Sequence, residues 1–346
     1  MSKSHPHPRA ARPQAQEPSA ELEGEPDKPP SAEEPSALSR GLGELSALNA
    51  IRGGLMDAGH ELDTSDDCAW LALSERPGLI LTTDALVEGL HFDLALDSFA
   101  QVGEQAAVVN LSDLASSGAW PLGLLWSLSL PPSIREEELR AMSEGFGRRC
   151  AEFDAPVLGG NICIRPGALE LHVSALGAPL SDQGRIGRSG AQLGDGLYVS
   201  GALGSRALGY LDPSPARRAL RHQWRPHLRE AEGLCRWGQV NAMMDISDGL
   251  LIDLSRLLTA SGVGAELSRE ALPHCAEAQR LAHSADELSE AALSGGEDYV
   301  LLFTSPSRPP AALGCAWIGQ IVSTEGISLN GERVTPRGYL HSGALN

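Results

Sequence analysis

Apolar positions along this chain switch between helical and strand periods, and the switch points mark its elements. Leu42, Leu45, Leu48 and Ile51 recur at helical spacing and open the folded part. Residues 70–73 and 79–81 are apolar runs of strand length, and the second passes straight into Thr82, Thr83 and Asp84, as a buried strand ending in polar groups would. Val102, Ala106, Val109, Leu111 and Leu114 place a buried helix over 102–119, with Asn110, Ser112 and Asp113 along it. A strand over 124–130 is closed by Pro131 and Pro132. An amphipathic helix is predicted over 134–153, with Ser133 as its N-cap and Glu136 three residues on. A strand over 156–158 leads into Gly159, Gly160 and Asn161, and residues 169–176 alternate as another.

The second half continues the alternation. A strand over 197–200 precedes a glycine-rich turn over 201–204. Met243-Met244-Asp245 runs through Ile246-Ser247-Asp248-Gly249 into a helix over 250–258, and period-two alternation would put Asp245 and Ser247 on one face of the strand. Ser294-Gly295-Gly296-Glu297-Asp298 runs into a strand over 299–304. This order is too mixed for a doubly wound parallel sheet, and the expected class is α+β. Glycine and polar residues cluster over 181–194, which divides the folded part into domains at 41–185 and 186–346. Residues 1–38 hold eight of the 23 prolines. Such a segment buries too little apolar surface to offset its ordering entropy, so a disordered tail over 1–40 is expected.

Composition narrows the function classes. The 346 residues are 42% hydrophobic but only 4% aromatic, with 38 glycines, which favours tight turns and close backbone approaches. Net charge is −18, of which residues 1–45, with eight acidic and five basic side chains, carry only −3. So acidic a folded part argues against a nucleic-acid partner and suits a site that gathers divalent cations. The six cysteines are scattered without a C-x-x-C pair, which fits neither a zinc site nor a disulfide framework and points to the cytoplasm. No apolar run reaches the roughly 18 residues of a membrane span, and the N-terminus lacks a secretory h-region.

Several acids sit where apolar runs end. A buried carboxylate costs several kcal/mol unless paired or metal-bound, which bears on Asp113, on an otherwise apolar helix, and on Asp245, directly after two methionines. The neighbours Asp66 and Asp67 repel unless exposed or bridged by a cation. Oxygen donors from Thr82, Thr83 and Asp84 suit a hard cation such as Mg2+. Plainer readings stand beside these: Asp248 as a helix cap, Glu297 and Asp298 as a turn, and His91 as a hydrogen-bonded structural residue. The turn at 201–209 lacks both the Walker A ending and the G-x-G-x-x-G order.

Five segments taken together resemble the thiamine-monophosphate kinase family. They are residues 82–92 (TTDALVEGLHF), 109–115 (VNLSDLA), 188–190 (RSG), 245–250 (DISDGL) and 294–299 (SGGEDY), in order along everything but the tail. The resemblance implies the two-domain α+β fold of aminoimidazole ribonucleotide synthetase relatives, with the N-terminal domain binding ATP and Mg2+ and dimerising through its strands. It implies ATP-dependent phosphorylation of thiamine monophosphate to thiamine diphosphate by direct in-line transfer, without a covalent nucleophile. Carried over position by position, Asp67, Thr82, Thr83, Asp84, Asp113, Asn161, Asp245 and Asp248 correspond to Mg2+ ligands. Gly160, Arg188 and Ser247 correspond to ATP contacts, and His91, Glu297 and Tyr339 to substrate contacts. Two positions depart from the family pattern: Asn161 stands where Asp is usual, and Ser65 where Gly is usual. Those departures leave room for a low-activity enzyme or a non-catalytic nucleotide or thiamine-phosphate binder. Another ATP-using relative of the same fold is a further alternative, although the N-terminal Cys of a selenophosphate enzyme is absent.

Overall fold

One buried helix lies between two sheets and organises both. The computed structural model describes residues 68–73, 76–181, 184–211 and 214–339. The expected tail over 1–40 and the helix at 42–51 lie outside these residues. The helix, α1 (Phe99–Ser116), opens with a reciprocal cap in which Gln101 Oε1 accepts from the Ser98 N–H and Ser98 Oγ accepts from the Gln101 N–H. It is buried on nearly every side, including Val102, Ala106, Leu111 and Leu114 at 0% exposure. Helices apolar all round belong inside a core, and α1 packs on strands of both sheets.

The N-terminal sheet has strand order β1-β2-β5-β3-β4. These strands are β1 (Ala69–Leu73), β2 (Arg76–Val87), β3 (Ala119–Leu130), β4 (Val157–Ile164) and β5 (Glu170–Pro179). Neighbours pair antiparallel except β3 with β4, which are parallel and joined through α2 (Glu136–Ala151). Helices α1 and α2 cover one face, where Trp126 stacks on Phe146 at 4.5 Å.

The chain continues through β6 (Gly196–Val199), α3 (Ser205–Leu211), α4 (Pro215–Arg218), α5 (Leu228–Trp237), β7 (Ala242–Asp245), α6 (Leu250–Ser261) and β8 (Gly264–Leu267). It closes with α7 (Ala276–Leu281), α8 (Ala285–Ser294), β9 (Leu301–Ser305), β10 (Ala316–Val322), β11 (Gly326–Leu329) and β12 (Glu332–Val334). The C-terminal sheet is mixed, in the order β12-β11-β8-β10-β6-β9-β7. The α+β class is as expected. Tyr198, Met243 and Phe303 of this sheet pack into the same cluster as Leu111 and Phe146, so α1 is buried from both sides.

Three local expectations are corrected. Strand β2 does not stop at Thr82 but runs on to Val87, paired with β5 throughout, so Thr82, Thr83 and Asp84 are mid-strand. The N-cap of α2 is Arg135 rather than Ser133: Glu138, not Glu136, accepts from the cap N–H at 2.9 Å and from the Arg135 guanidinium. The strand bearing Asp245 ends at that residue, so Asp245 and Ser247 do not share a strand face.

Helices α1 and α2 approach through two glycines. A Cβ on Gly145 would overlap the Ala100 carbonyl, and one on Gly103 the Met142 carbonyl. Alanine is favoured over glycine inside a helix by about 1 kcal/mol, but overpacking against fixed backbone costs about 1–3 kcal/mol. Overpacking wins here because both obstacles are carbonyls, not flexible side chains. Gly145→Ala is expected to lower stability by about 2 kcal/mol in urea unfolding; an unchanged midpoint would show that the helices can slide apart.

Candidate active site

Acidic groups from three elements converge where the two sheets face α1. Thr82 and Asp84 are two residues apart on β2 and so share one face. Thr82 Oγ1 donates to Asp113 Oδ2 on α1 at 2.5 Å. Ser112, the residue before it, donates from Oγ to Asp245 Oδ2 at the end of β7, also at 2.5 Å. Adjacent residues of one helix therefore hold a strand from each sheet.

The electrostatics follow from burial. Burial pushes the Asp84 carboxyl up to about 6, with the Asp245 charge adding to it. Burial, then the charges of Asp84 and Asp245, holds Asp113 well above the usual carboxylate range. Burial raises Asp245 too, while the Ser112 hydroxyl and the Arg188 charge pull it back. Like charges buried together favour the neutral form unless a cation joins them. Among the described residues, no three His, Cys, Asp or Glu side chains are already gathered as a metal cage. The hydroxyls of Thr82 and Ser112 occupy one oxygen each instead. An all-oxygen cleft of this kind suits Mg2+, which binds through one or two carboxylates and completes its shell with water and substrate phosphate.

Behind the cleft, Asp253 organises the turn from β7 to α6. Its Oδ2 accepts the N–H groups of Ser247, Asp248 and Gly249 at 3.0, 2.9 and 3.1 Å. Asp248, for which a helix cap is the plainer of two readings, instead pairs with Arg256 at 2.6 Å, and Arg256 also holds Asp253 at 2.7 Å. Burial, then the Asp248 charge, pushes Asp253 up to about 7. Tyr339, at 41% exposure, donates its backbone N–H to the Asp248 carbonyl at 2.9 Å and so stands at the rim.

The expected substrate contacts form a second cluster. His91 Nδ1 accepts from the Val87 N–H at 2.9 Å, which leaves Nε2 as the proton-bearing nitrogen of the neutral ring. Glu297 has φ 56°, in the left-handed region, and its N–H donates to the Ser247 carbonyl at 2.6 Å. Arg206 Nε donates to Glu297 Oε2 at 2.5 Å. Arg206 is itself fixed, donating to the Arg221 carbonyl and the Tyr210 hydroxyl with its guanidinium 4.0 Å from the Trp224 ring. The neighbouring Asp298 accepts the Gly204 N–H on both oxygens, at 3.0 and 3.1 Å, which explains the glycine-rich turn as an anchor for the Glu297 loop.

Thr82, Asp84, Asp113, Asp245, Asp248, Arg188 and Ser247 are thus brought to one cleft, with His91, Glu297 and Tyr339 around it. Asp67 lies outside the described residues, and three others, Thr83, Asn161 and Gly160, are not brought there. The Thr83 hydroxyl is on the opposite face of β2, donating to the Val173 carbonyl at 2.9 Å and accepting from Ser174. Asn161 is level with Ala85 through Ser127 and His172, on that same opposite face. Three strand spacings, roughly 14 Å, separate β4 from β2. Gly160 is level with Asp84 on the inner face at the same remove.

The sequence reading missed Ser112, Asp253, Gln105 and Arg206. Asp253 had a signal, a carboxylate on the apolar stripe of Leu250, Leu254 and Leu257, the same signal that exposed Asp113. Arg206 and Gln105 had none, because their partner Glu297 is 91 and 192 residues away.

Residues 65–178 match the AIR synthase related protein, N-terminal domain, and residues 189–325 the AIR synthase related protein, C-terminal domain. Fold and cleft therefore define a two-domain AIR-synthase-related protein. The thiamine-monophosphate kinase of Aquifex aeolicus is 36% identical over 313 residues, covering 87% of this chain and 98% of the relative. That of Salmonella typhimurium is 34% identical over 293 residues, covering 81% and 87%. A solved structure of AaThiL complexed with AMPPCP and TMP superposes with a TM-score of 0.78 at 31% identity, covering 89% of this chain and all of that one. The chain belongs to the thiamine-monophosphate kinase family.

Burial pushes Asp298 up to about 8 from an ordinary 3.8. The folded state then keeps a proton that the unfolded chain has lost, so stability falls as pH rises between about 4 and 8, by up to about 1.4 kcal/mol per pH unit. Asp298→Asn removes this titration. Its stability relative to the parent is expected to improve from pH 6 to pH 8 in urea unfolding; a constant difference would show that Asp298 does not titrate in this window.

Proposed function

We propose that this chain phosphorylates thiamine monophosphate to thiamine diphosphate with ATP as the phosphate donor. The observation that carries it is the convergence of Thr82, Asp84, Asp113, Asp245 and Asp248 beside the His91–Glu297 cluster. One set of residues suits phosphate charge and the other a second substrate. Phosphoryl transfer asks for positioning and charge neutralisation more than for a covalent nucleophile. The acceptor phosphate is ionised near neutral pH and attacks the γ-phosphorus in line as the bond to the bridging oxygen breaks and ADP leaves, so no strong general base is needed. Arg188, beside Asp245, and Ser247, in the turn held by Asp253, face the ATP phosphates. The His91 Nε2–H donates to the acceptor phosphate, Glu297 accepts from the substrate, and Tyr339 closes the rim.

Mg2+ is the proposed metal. Held by Asp84, Asp113, Asp245 and Asp248, with Asp67 from outside the described residues, it would neutralise charge on the ATP phosphates. Within one protomer Asn161 is remote from this cleft, so its place in the ligand set, and that of Gly160 at the ATP phosphates, requires a second copy.

A homodimer supports that requirement. Edge strand β4 is exposed along its whole length, with Val157, Leu158, Ile162 and Ile164 at 43–70%, and it carries no charge or proline to blunt pairing. The domain division at 185/186 falls between the two family matches. Among the described residues no helix is long and apolar enough to cross a membrane, and all six cysteines are free thiols, in keeping with a reducing, cytoplasmic setting.

The test is thiamine diphosphate formation from ATP, Mg2+ and thiamine monophosphate. Asp84→Asn is expected to lower kcat at least 100-fold, and nucleotide binding without turnover in the parent would instead favour a non-catalytic binder. Asn161→Asp should lower the Mg2+ concentration needed for half-maximal rate; an unchanged Mg2+ response removes this position from the ligand set. In sedimentation, the parent is expected to run as a dimer and Ile162→Asp as a monomer, and a monomeric parent would refute the β4 interface.

A further inference from the structure

Gln105 lies on α1, two turns before Ser112, and is 3% exposed. Its Nε2 donates to two acceptors from different parts of the chain. One is the His91 carbonyl at 3.3 Å, in the turn that follows β2. The other is Glu297 Oε1 at 3.2 Å, in the loop that precedes β9. Because one nitrogen serves both, the separation of the two loops is set by a single amide on a rigid helix. Arg206 holds the other Glu297 oxygen from the C-terminal side, so the carboxylate is gripped on both oxygens. The loop it belongs to has a left-handed backbone at Gly296, Glu297 and Tyr299, a shape that persists only where surrounding contacts impose it.

We propose that Gln105 is a positioning residue for thiamine monophosphate, fixing His91 and Glu297 at the spacing the acceptor substrate needs. This rests on the reading of those two residues as substrate contacts. Gln105 stands two turns of α1 away from Ser112 and Asp113, and its amide is engaged by His91 and Glu297, so it acts on the acceptor side of the reaction and leaves the ATP side alone. A glutamine serving only as packing would affect both substrates through general loosening of α1.

The test is steady-state kinetics for each substrate separately. Gln105→Leu keeps the side-chain bulk and removes the donor. It is expected to raise KM for thiamine monophosphate about tenfold while KM for ATP stays within twofold. Glu297→Gln is measured in parallel, and in the double variant the two effects should combine to less than their product, as for groups acting through one contact. If Glu297→Gln raises KM for thiamine monophosphate and Gln105→Leu does not, the positioning role is overturned while the substrate contact stands. If Glu297→Gln leaves that KM unchanged, the contact reading fails and the proposal with it. Should Gln105→Leu fail to fold, Gln105→Glu decides. Its ionised carboxylate opposes Glu297 and the His91 carbonyl. At pH 8 its KM for thiamine monophosphate is expected to rise about tenfold over the parent while KM for ATP stays within twofold. A parental KM for thiamine monophosphate, or an equal rise for both substrates, overturns the proposal.

Discussion

Three carboxylates buried within reach of one another are the constraint around which this molecule is arranged. Asp84, Asp113 and Asp245 come from a strand of each sheet and from the helix between them, and each is pushed toward its neutral form by burial. Such a cluster opposes folding wherever water has been excluded without compensation. The compensation is built from rigid parts: Thr82 on Asp113, Ser112 on Asp245, and Arg188 beside Asp245. The remaining deficit of positive charge suits the cleft to the Mg2+ proposed above. On that reading, the same feature that strains the fold supplies its chemistry.

Helix α1 translates this arrangement into distance. Ser112 and Asp113 address the acids, whereas Gln105, seven residues earlier, addresses His91 and Glu297. Seven residues are two turns and roughly 10 Å of rise, so one face of one helix spans the regions proposed for donor and acceptor. Burial from both sheets, and contact with α2 through Gly103 and Gly145, keeps that ruler from shifting.

Much of the site was legible because an acid at the end of an apolar run is conspicuous wherever it occurs. Asp113, Asp245 and Asp84 all stood out this way, and the strand and helix order sufficed for the α+β class. Legibility failed where the answer depended on facing or on distant partners. Thr82 and Thr83 are indistinguishable until β2 is known to continue past them, since period-two alternation sends neighbours to opposite faces. Ser133 and Arg135 compete for the same cap, and the winner was decided by which glutamate could reach back. Asn161 corresponds to a ligand by resemblance until sheet order places two strands, β5 and β3, between β4 and β2. Arg206 and Gln105 have no local signature, because their meaning is given by a loop that arrives only when the chain is closed.

The left-handed backbone at Glu297 sets two contributions to stability against each other. A side chain held there costs on the order of 1 kcal/mol that glycine would not. Its carboxylate, however, is the partner of the buried Arg206 guanidinium, and removing one member of a buried pair costs about 3–5 kcal/mol because the other charge is left uncompensated. The ion pair outweighs the backbone cost, so a library of position-297 variants sorted only for thermal survival would keep the acid rather than drift toward glycine. Folding itself therefore guards this residue, and the strained loop is held by the charge it presents to Arg206.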